Sequence, residues 1–488
     1  MGAPGVTTVE QETADVGLSA LVTDRSFIAG LSERGPVNLA VPVRSLERFE
    51  ATFGEAFAAG YLWDAARQFP LEGGSEQLYA RTVGPAAKPS SAKLKDGAAA
   101  NTLEVVAACK LAETDPGAWG DRIKIKTEAA GGNVTYTVLF DNVQVEKSGA
   151  LATNADAVAW SKNSGYIRFI DLGGTDPITQ EVALSGGTDD RANITDEHRA
   201  KTVNDAFLRA FGAGQVAYPG ATTKAIREAL AKHAQANNRI VVPDAVDSKV
   251  VATLAGATAE LSGLEKKFRA ASFKPFGPWV TVKGDGGTTK TLPPSILVMA
   301  AIARHDHETY REDLGVCNPN EAAAGINGRL KTVTGLTQTP WTDAERATLN
   351  ETAINVIRYV KGIATIYGYR TLADEDELLA QGNNRRIDMA ILAGAEEVGE
   401  DFAFGQVDGR GQKLGELAGA IRGEVLDPYY AVGALFGESA PEAAGVDVGE
   451  EVNPLEQLAA GKARARIRAR RSPAAEQIEI DYVKEEVA

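Results

Sequence analysis

Cysteine and histidine are scarce in this chain of 488 residues, which has two of the first and four of the second. Cys109 and Cys317 are far apart in sequence, which predicts reduced thiols and synthesis in a cytoplasm. Of the histidines, His305 and His307 in "HDH" would share a face in an extended segment, but no third and fourth ligand lies near them and a closed zinc site needs about four. No metal and no cofactor are expected. His233, in "ALAKHAQAN", is read as packing on or capping a helix. Long apolar runs are missing as well. Nothing approaches the roughly eighteen consecutive apolar residues of a membrane helix, and no signal-peptide pattern opens the chain. Basic charge is also in deficit, with 51 Lys+Arg against 66 Asp+Glu for a net −15. That balance argues against general binding to nucleic acid or anionic membranes, though it permits a local basic patch.

Sequence signatures of catalysis are lacking too. There is no GxSxG elbow, HExxH, CxxC or GxGxxG leading into a helix. "GDGGTTKT" fails as a phosphate loop because Thr289, not glycine, precedes Lys290; it reads as a hairpin tip around Asp285-Gly286. The acidic "DEDE", Asp374 to Glu377, lacks the ligand spacing of a calcium loop and reads as a solvated turn. A triad assembled in space escapes such a search, so an oligomeric α/β hydrolase-like enzyme stands as the alternative reading.

What is present is an ordinary globular composition, 44% hydrophobic with 50 glycines, on a length that implies about two to four domains. "GAPGVTTVEQET" reads as an extended arm, and Phe27 to Ala29 as a short strand. "SLERFEATFG" and "GYLWDAARQF" have helical spacing, the second with Leu62, Ala65, Ala66 and Phe69 on one face, and "EQLYARTV" reads as a strand. From about 91 to 192 the texture changes to short alternating runs with hardly any helical period, which suggests an inserted antiparallel β domain. Helix and strand then alternate again through "TKAIREALAKHAQANNR" and "IVVPDA", while "SILVMAAIAR" suits either a buried strand or a helix. Thr342 and Glu345 form a capping-box pattern, and a long helix is expected around 385–404.

The chain closes on two combs. In a strand, Arg464, Arg466, Arg468 and Arg470 share one face and Ala463, Ala465, Ile467 and Ala469 the other. After Pro473, Ile478, Ile480 and Tyr482 face opposite to Gln477, Glu479 and Asp481. Side by side, such strands set arginines against acids, each pair contributing only about 0.2–1 kcal/mol, so the combs would govern register and partner choice. Phosphate binding would leave the basic charge unopposed; the strand reading accounts for both combs. Pairing within one subunit or between subunits is left open by the pattern, but extended segments at both ends suit strand addition and hence a polymer.

In order along the chain, "PGVTTVE", "FIAGLSERGPVN", "YLWDAARQFPLEGGSEQLYARTVG", "DPGAWGDRIKIK", "LSGGTDD", "GQVAYPG", "AINVIRYVKGIATIYGYRTL" and "RARIRARRSPAAEQIEIDY" resemble the contractile tail sheath family of phages and phage-derived injection systems. The resemblance implies a multidomain α/β fold: a mixed α/β core at 21–90 and 193–340, an inserted antiparallel β domain at 91–192 and a C-terminal domain at 341–488 facing an inner tube. It implies a linking arm at 1–20, with Pro4, Gly5, Val6, Thr8 and Val9, and C-terminal linking strands that include the arginine comb and Ile478, Glu479, Ile480, Asp481 and Tyr482. The partners it implies are further copies of the chain, the inner tail tube, and baseplate and terminator or cap proteins, with no nucleic acid and no direct membrane insertion. Assembly in the bacterial cytoplasm into a phage tail or injection particle would follow, with no reaction of the chain's own. "PPSILVMAAIARHDHET" and "NNRRIDMAILAGAEEV" depart from the family pattern, so contacts made there transfer least.

Overall fold

Five consecutive buried residues, Ser26–Gly30, form the first strand, β1. It belongs to a computed structural model that describes residues 23–476 except 76, 247–263, 285–286, 339–341, 343, 346–347, 350–353 and 375–376. The linking calls at Pro4 to Val9 and at Ile478 to Tyr482 therefore lie outside the described residues. After β1 come β2 (Val41–Val43), α1 (Leu46–Phe53), α2 (Leu62–Glu72) and β3 (Gln77–Arg81). Ser45 starts α1 by accepting the Arg48 N–H at 3.2 Å. The expected stripe of α2, Leu62, Ala65, Ala66 and Phe69, is buried, and Gly73 ends the helix in the left-handed region at φ 95°.

The chain then builds β4 (Ser91–Lys95), β5 (Asn101–Ala107), β6 (Ile123–Ala130), β7 (Asn133–Phe140), β8 (Val143–Lys147), α3 (Asn154–Ser161), β9 (Ile167–Asp171) and β10 (Gln180–Ala183). These strands pair antiparallel in two sheets, β4-β5-β9 and β10-β6-β7-β8, around a cluster containing Leu103, Ile125, Tyr136 and Phe169. Helix α3 was not expected. Only Asn154, Ala157 and Ser161 of it are buried, too thin a stripe to give a helical period, and its start depends on Thr153 accepting the Asp156 N–H at 3.2 Å.

Next come α4 (Asp196–Ala206), β11 (Gly214–Ala217), α5 (Lys224–Ala236) and β12 (Arg239–Val241). They complete a sheet of order β12-β11-β1-β3-β2, parallel except for the β2 edge. Both faces are covered. Ile28, Tyr79, Ala217 and Ile240 point into the cluster that holds α1 and α2, while Phe27, Leu78, Val216 and Val241 point to α4 and α5. That period-two split across a sheet buried on both sides explains its nearly unbroken apolar strands.

β13 (Phe276–Gly277), β14 (Val280–Lys283) and β15 (Thr289–Leu292) lead into α6 (Ser295–Glu308). β14 and β15 form the expected hairpin, with Lys283 opposite Thr289 and Gly287 at φ 80°; Asp285 and Gly286 lie outside the described residues. The ambiguous "SILVMAAIAR" is helical, buried at every position from Ser295 to Asp306, as a helix apolar on all sides must be. The extended reading of "HDH" is thereby corrected: His305 is buried and His307 exposed on one helical turn. Among the described residues no cluster of three His, Cys, Asp or Glu could hold a metal, and no helix is long and apolar enough to cross a membrane.

The remainder includes β16 (Val333–Leu336), β17 (Asn355–Val360), β18 (Ile363–Ile366), α7 (Gly382–Phe402), α8 (Gln412–Ala420), β19 (Ala444–Asp447) and β20 (Arg466–Ala469), with short helical turns between α8 and β20. The capping box is present: Thr342 N–H reaches Glu345 Oε2 at 2.8 Å and Glu345 N–H reaches Thr342 Oγ1 at 3.3 Å.

Three buried ion pairs tie these parts together. Arg81 spends all five N–H bonds, on the carbonyls of Ser32, Glu33, Gly35 and Pro116 and on Asp115 Oδ1 at 2.7 Å, and Asp115 Oδ2 takes the Gly35 N–H at 2.7 Å. Arg304 meets Glu72 at 3.2 Å, whose carboxylate also accepts from Lys331 and Thr332. Arg386 meets Asp306 with neither side chain exposed. The chain's two crossings, from β3 into the β4–β10 unit and from that unit on to α4, run side by side: Lys88 and Thr188 exchange backbone bonds at 2.8 and 2.9 Å, Ser91 and Ser185 at 3.0 and 3.1 Å, and the Gly84 N–H donates to the Asp189 carbonyl at 2.8 Å.

Candidate assembly surface

The arginine comb is a strand face, as its alternation predicts, but the regular strand is shorter than the comb. Arg466 and Arg468 are exposed while Ile467 and Ala469 are half-buried. β20 pairs antiparallel with β19, placing Arg466 opposite Asp447 and Arg468 opposite Gly445. Arg468 lies over that glycine, where there is no competing side chain. The acids that meet the comb within the described residues come from before it: Glu442 lies 3.0 Å from Arg470 and Glu451 3.8 Å from Arg466. Arg464 precedes the regular strand yet is held as though in the ladder. Its N–H donates to Asn453 Oδ1 at 2.7 Å and its carbonyl accepts from Asn453 Nδ2 at 2.8 Å.

The half-buried side of this ribbon, Ala465, Ile467 and Ala469, packs on Ile387 and Ile391 of α7 and on Val425 and Tyr429 beyond α8. Arg470 N–H donates to the Ala443 carbonyl at 2.8 Å, so the even-numbered residues of β20 carry the bonds to β19. The N–H and C=O groups of Ala465, Ile467 and Ala469 then point away from β19, toward an edge with no described strand on it. The ribbon thus has a seated apolar face, a cationic outer face and, among the described residues, an open hydrogen-bonding edge.

Sequence reasoning missed the residues that fix the two ends of the described chain. Thr23 Oγ1 donates to Asp306 Oδ2 at 2.8 Å, and its carbonyl accepts from Arg386. At the other end Glu476 accepts from Arg370 at 2.6 and 3.1 Å. No local signal marks these contacts, whose partners are separated by more than a hundred residues in most cases.

The crevice at the carboxyl ends of β1 and β11 is where an α/β sheet usually places a ligand. Its cavity of about 120 Å³ is walled by Tyr61, Arg199 and Tyr218 among apolar residues and glycine, with no Ser, Cys, His or carboxylate. Arg199 is paired with Asp196 at 2.6 Å. Burial pushes the Cys109 thiol up to about 11 and raises Cys317 further, so both thiols are held protonated at neutral pH. His233 is a packed core imidazole, as expected: it sits between Asn204 at 3.0 Å and Arg239 at 2.9 Å.

No family model matches the chain, and no curated protein does. Solved structures do match. A sheath tail protein from Listeria innocua aligns at TM-score 0.63 and 14% identity over 92% of this chain and 94% of its own. One from Desulfitobacterium hafniense aligns at 0.56 and 12% over 91% and 93%. The helical sheath of the anti-feeding prophage in its contracted state aligns at 0.54 and 16% over 99% and 100%. The likeness is one of fold, and it runs almost from end to end: this chain has the architecture of the contractile sheath proteins.

Proposed function

We propose that the chain is the structural subunit of a contractile sheath, polymerising helically around an inner tube and contracting to drive the tube through a target envelope. The observation that carries this reading is the near-complete fold match to sheath proteins in a chain whose β19–β20 ribbon has an edge with no strand on it among the described residues. Residues 1–20 and the segment after Pro473 act as links that add strands to the ribbons of neighbouring copies, by main-chain hydrogen bonds that persist while other interfaces rearrange. The acidic residues of the tail, Glu479 and Asp481, suit the exposed arginine face. Residues 21–90 and 193–340 form the core, 91–192 an inserted β-rich domain and 341–488 the tube-side domain. Contacts between unlike patches generate a helix when the rotation does not close, and the extended and contracted sheaths are two packings of nearly rigid subunits.

The partners are further copies of the chain, an inner tube, and baseplate and terminator proteins, assembled in the bacterial cytoplasm into a phage tail or injection particle. Electron microscopy of the purified chain beside its 473–488 deletion tests the reading. The intact chain is expected to give long hollow tubes and the deletion a folded subunit that does not polymerise. Normal tubes from the deletion would sink the linking role of the tail.

A further inference from the structure

The two ends of the described chain converge on one short stretch of the fold. Thr23 is held by Asp306 and Arg386, a pair with neither side chain exposed. Arg386 lies on the first turns of α7, and Tyr369, which packs on Phe273 at 4.8 Å between ring centres, meets the start of that helix. The next residue, Arg370, holds Glu476. Its backbone is fixed from two directions. The buried Asn355 accepts the Arg370 N–H at 2.8 Å and donates to its carbonyl at 2.9 Å, and the Lys274 N–H takes the same carbonyl at 2.9 Å. The start of α7 is tied in by the Gly382 N–H on the Tyr369 carbonyl at 2.8 Å.

We infer that Tyr369, Arg370 and Arg386 form a common anchor for the two linking segments, so that tension entering along residues 1–22 can leave along 477–488 through this junction. The inference rests on the reading of both ends as links. Load follows the shortest stiff path, and here that path is a buried ion pair, the first turn of α7 and one clamped backbone. The two halves of the anchor differ in character. Asp306–Arg386 is dry, so removing either member leaves a buried charge without its counter-ion. Arg370–Glu476 is partly exposed, at 22% and 31%, and such a pair adds little to folding. Arg370 is accordingly a positioning residue that sets the direction in which the tail leaves.

The test uses the full chain as wild type, Arg370→Glu, Glu476→Arg and the double charge reversal. Both single variants are expected to melt with the wild type, while the critical concentration for tube growth rises about tenfold, the cost of ordering roughly one further residue at the root of the tail. The double reversal restores it. Single variants that assemble like wild type, or a double reversal no better than the worse single, overturn the inference. Pulling the unassembled chain by its two ends gives a readout independent of assembly: the earliest rupture is expected to be lost in each single variant and regained in the double. Force traces alike in all four overturn the anchor, whereas a wild type that shows the rupture but never grows tubes overturns the assembly reading alone.

Discussion

Arg81 and Asp115 meet at 2.7 Å with side chains 1% and 0% exposed, joining the central sheet to the loop between β5 and β6 of the antiparallel unit. Every N–H of the guanidinium has an acceptor, which is the condition under which a buried charge is tolerated. Removing one member leaves the other uncompensated.

Asp115→Ala is therefore expected to destabilise the unassembled chain by about 3–5 kcal/mol. Pairing it with Arg81→Met is expected to recover much of the loss, because the orphaned charge goes too. Urea unfolding of the wild type, both single variants and the double checks this; a double variant as unstable as the sum of the singles would contradict it.

His233 makes the chain acid-sensitive. Burial, and then Arg239, push its pKa down to about 3 from an ordinary 6.5. Arg239 can only donate, so Nε2 accepts and the ring stays neutral with its proton on Nδ1, toward Asn204. Between those two pKa values the unfolded chain binds the proton and the folded chain does not. The stabilisation is present above 6.5 and is lost as pH falls toward 3, at up to about 1.4 kcal/mol per pH unit. Denaturation between pH 7 and pH 4 is expected to show a slope shallower by that amount in His233→Gln.

Ile467→Pro probes the ribbon edge that carries no strand among the described residues. The Ile467 N–H points away from β19, so proline there removes no bond of the described fold, and prolines are tolerated at such edges. The free chain is expected to lose no more than about 1 kcal/mol, while tube growth stops because an incoming strand has lost a donor. Arg468→Pro is the contrast: that N–H faces β19, and the subunit itself is expected to weaken. Sedimentation and thermal melts of the two variants separate the cases.

Local periodicity reached as far as local physics does. The Leu62–Phe69 stripe, the Thr342–Glu345 capping box and the alternation of Arg466 to Ala469 could all be read from spacing, because each depends on neighbours within a turn or a strand. "SILVMAAIAR" could not be decided, since a segment buried on every side has lost the contrast that distinguishes helix from strand. Helix α3 was invisible for the related reason that it buries too little. For the comb, the face was legible and the acids that meet it were not: Glu442 and Glu451 lie on separate turns that only the folded ribbon brings to Arg470 and Arg466. Thr23, Asp306, Arg370 and Arg386 are likewise silent in sequence, because a buried charge is defined by a partner that the fold supplies from elsewhere in the chain.

The paired crossings at Lys88 and Thr188 carry a consequence for engineering. The chain goes out to the antiparallel unit and comes back through one doorway, two backbones wide and about 5 Å across. A fluorescent reporter or a recognition module with closely spaced ends could replace the segment between Gly84 and Asp189 if Arg81 is changed with it, because the exchange also removes Asp115 and would leave that guanidinium buried without its partner. A new surface can then be carried on the same two backbones while the central sheet beneath keeps its register.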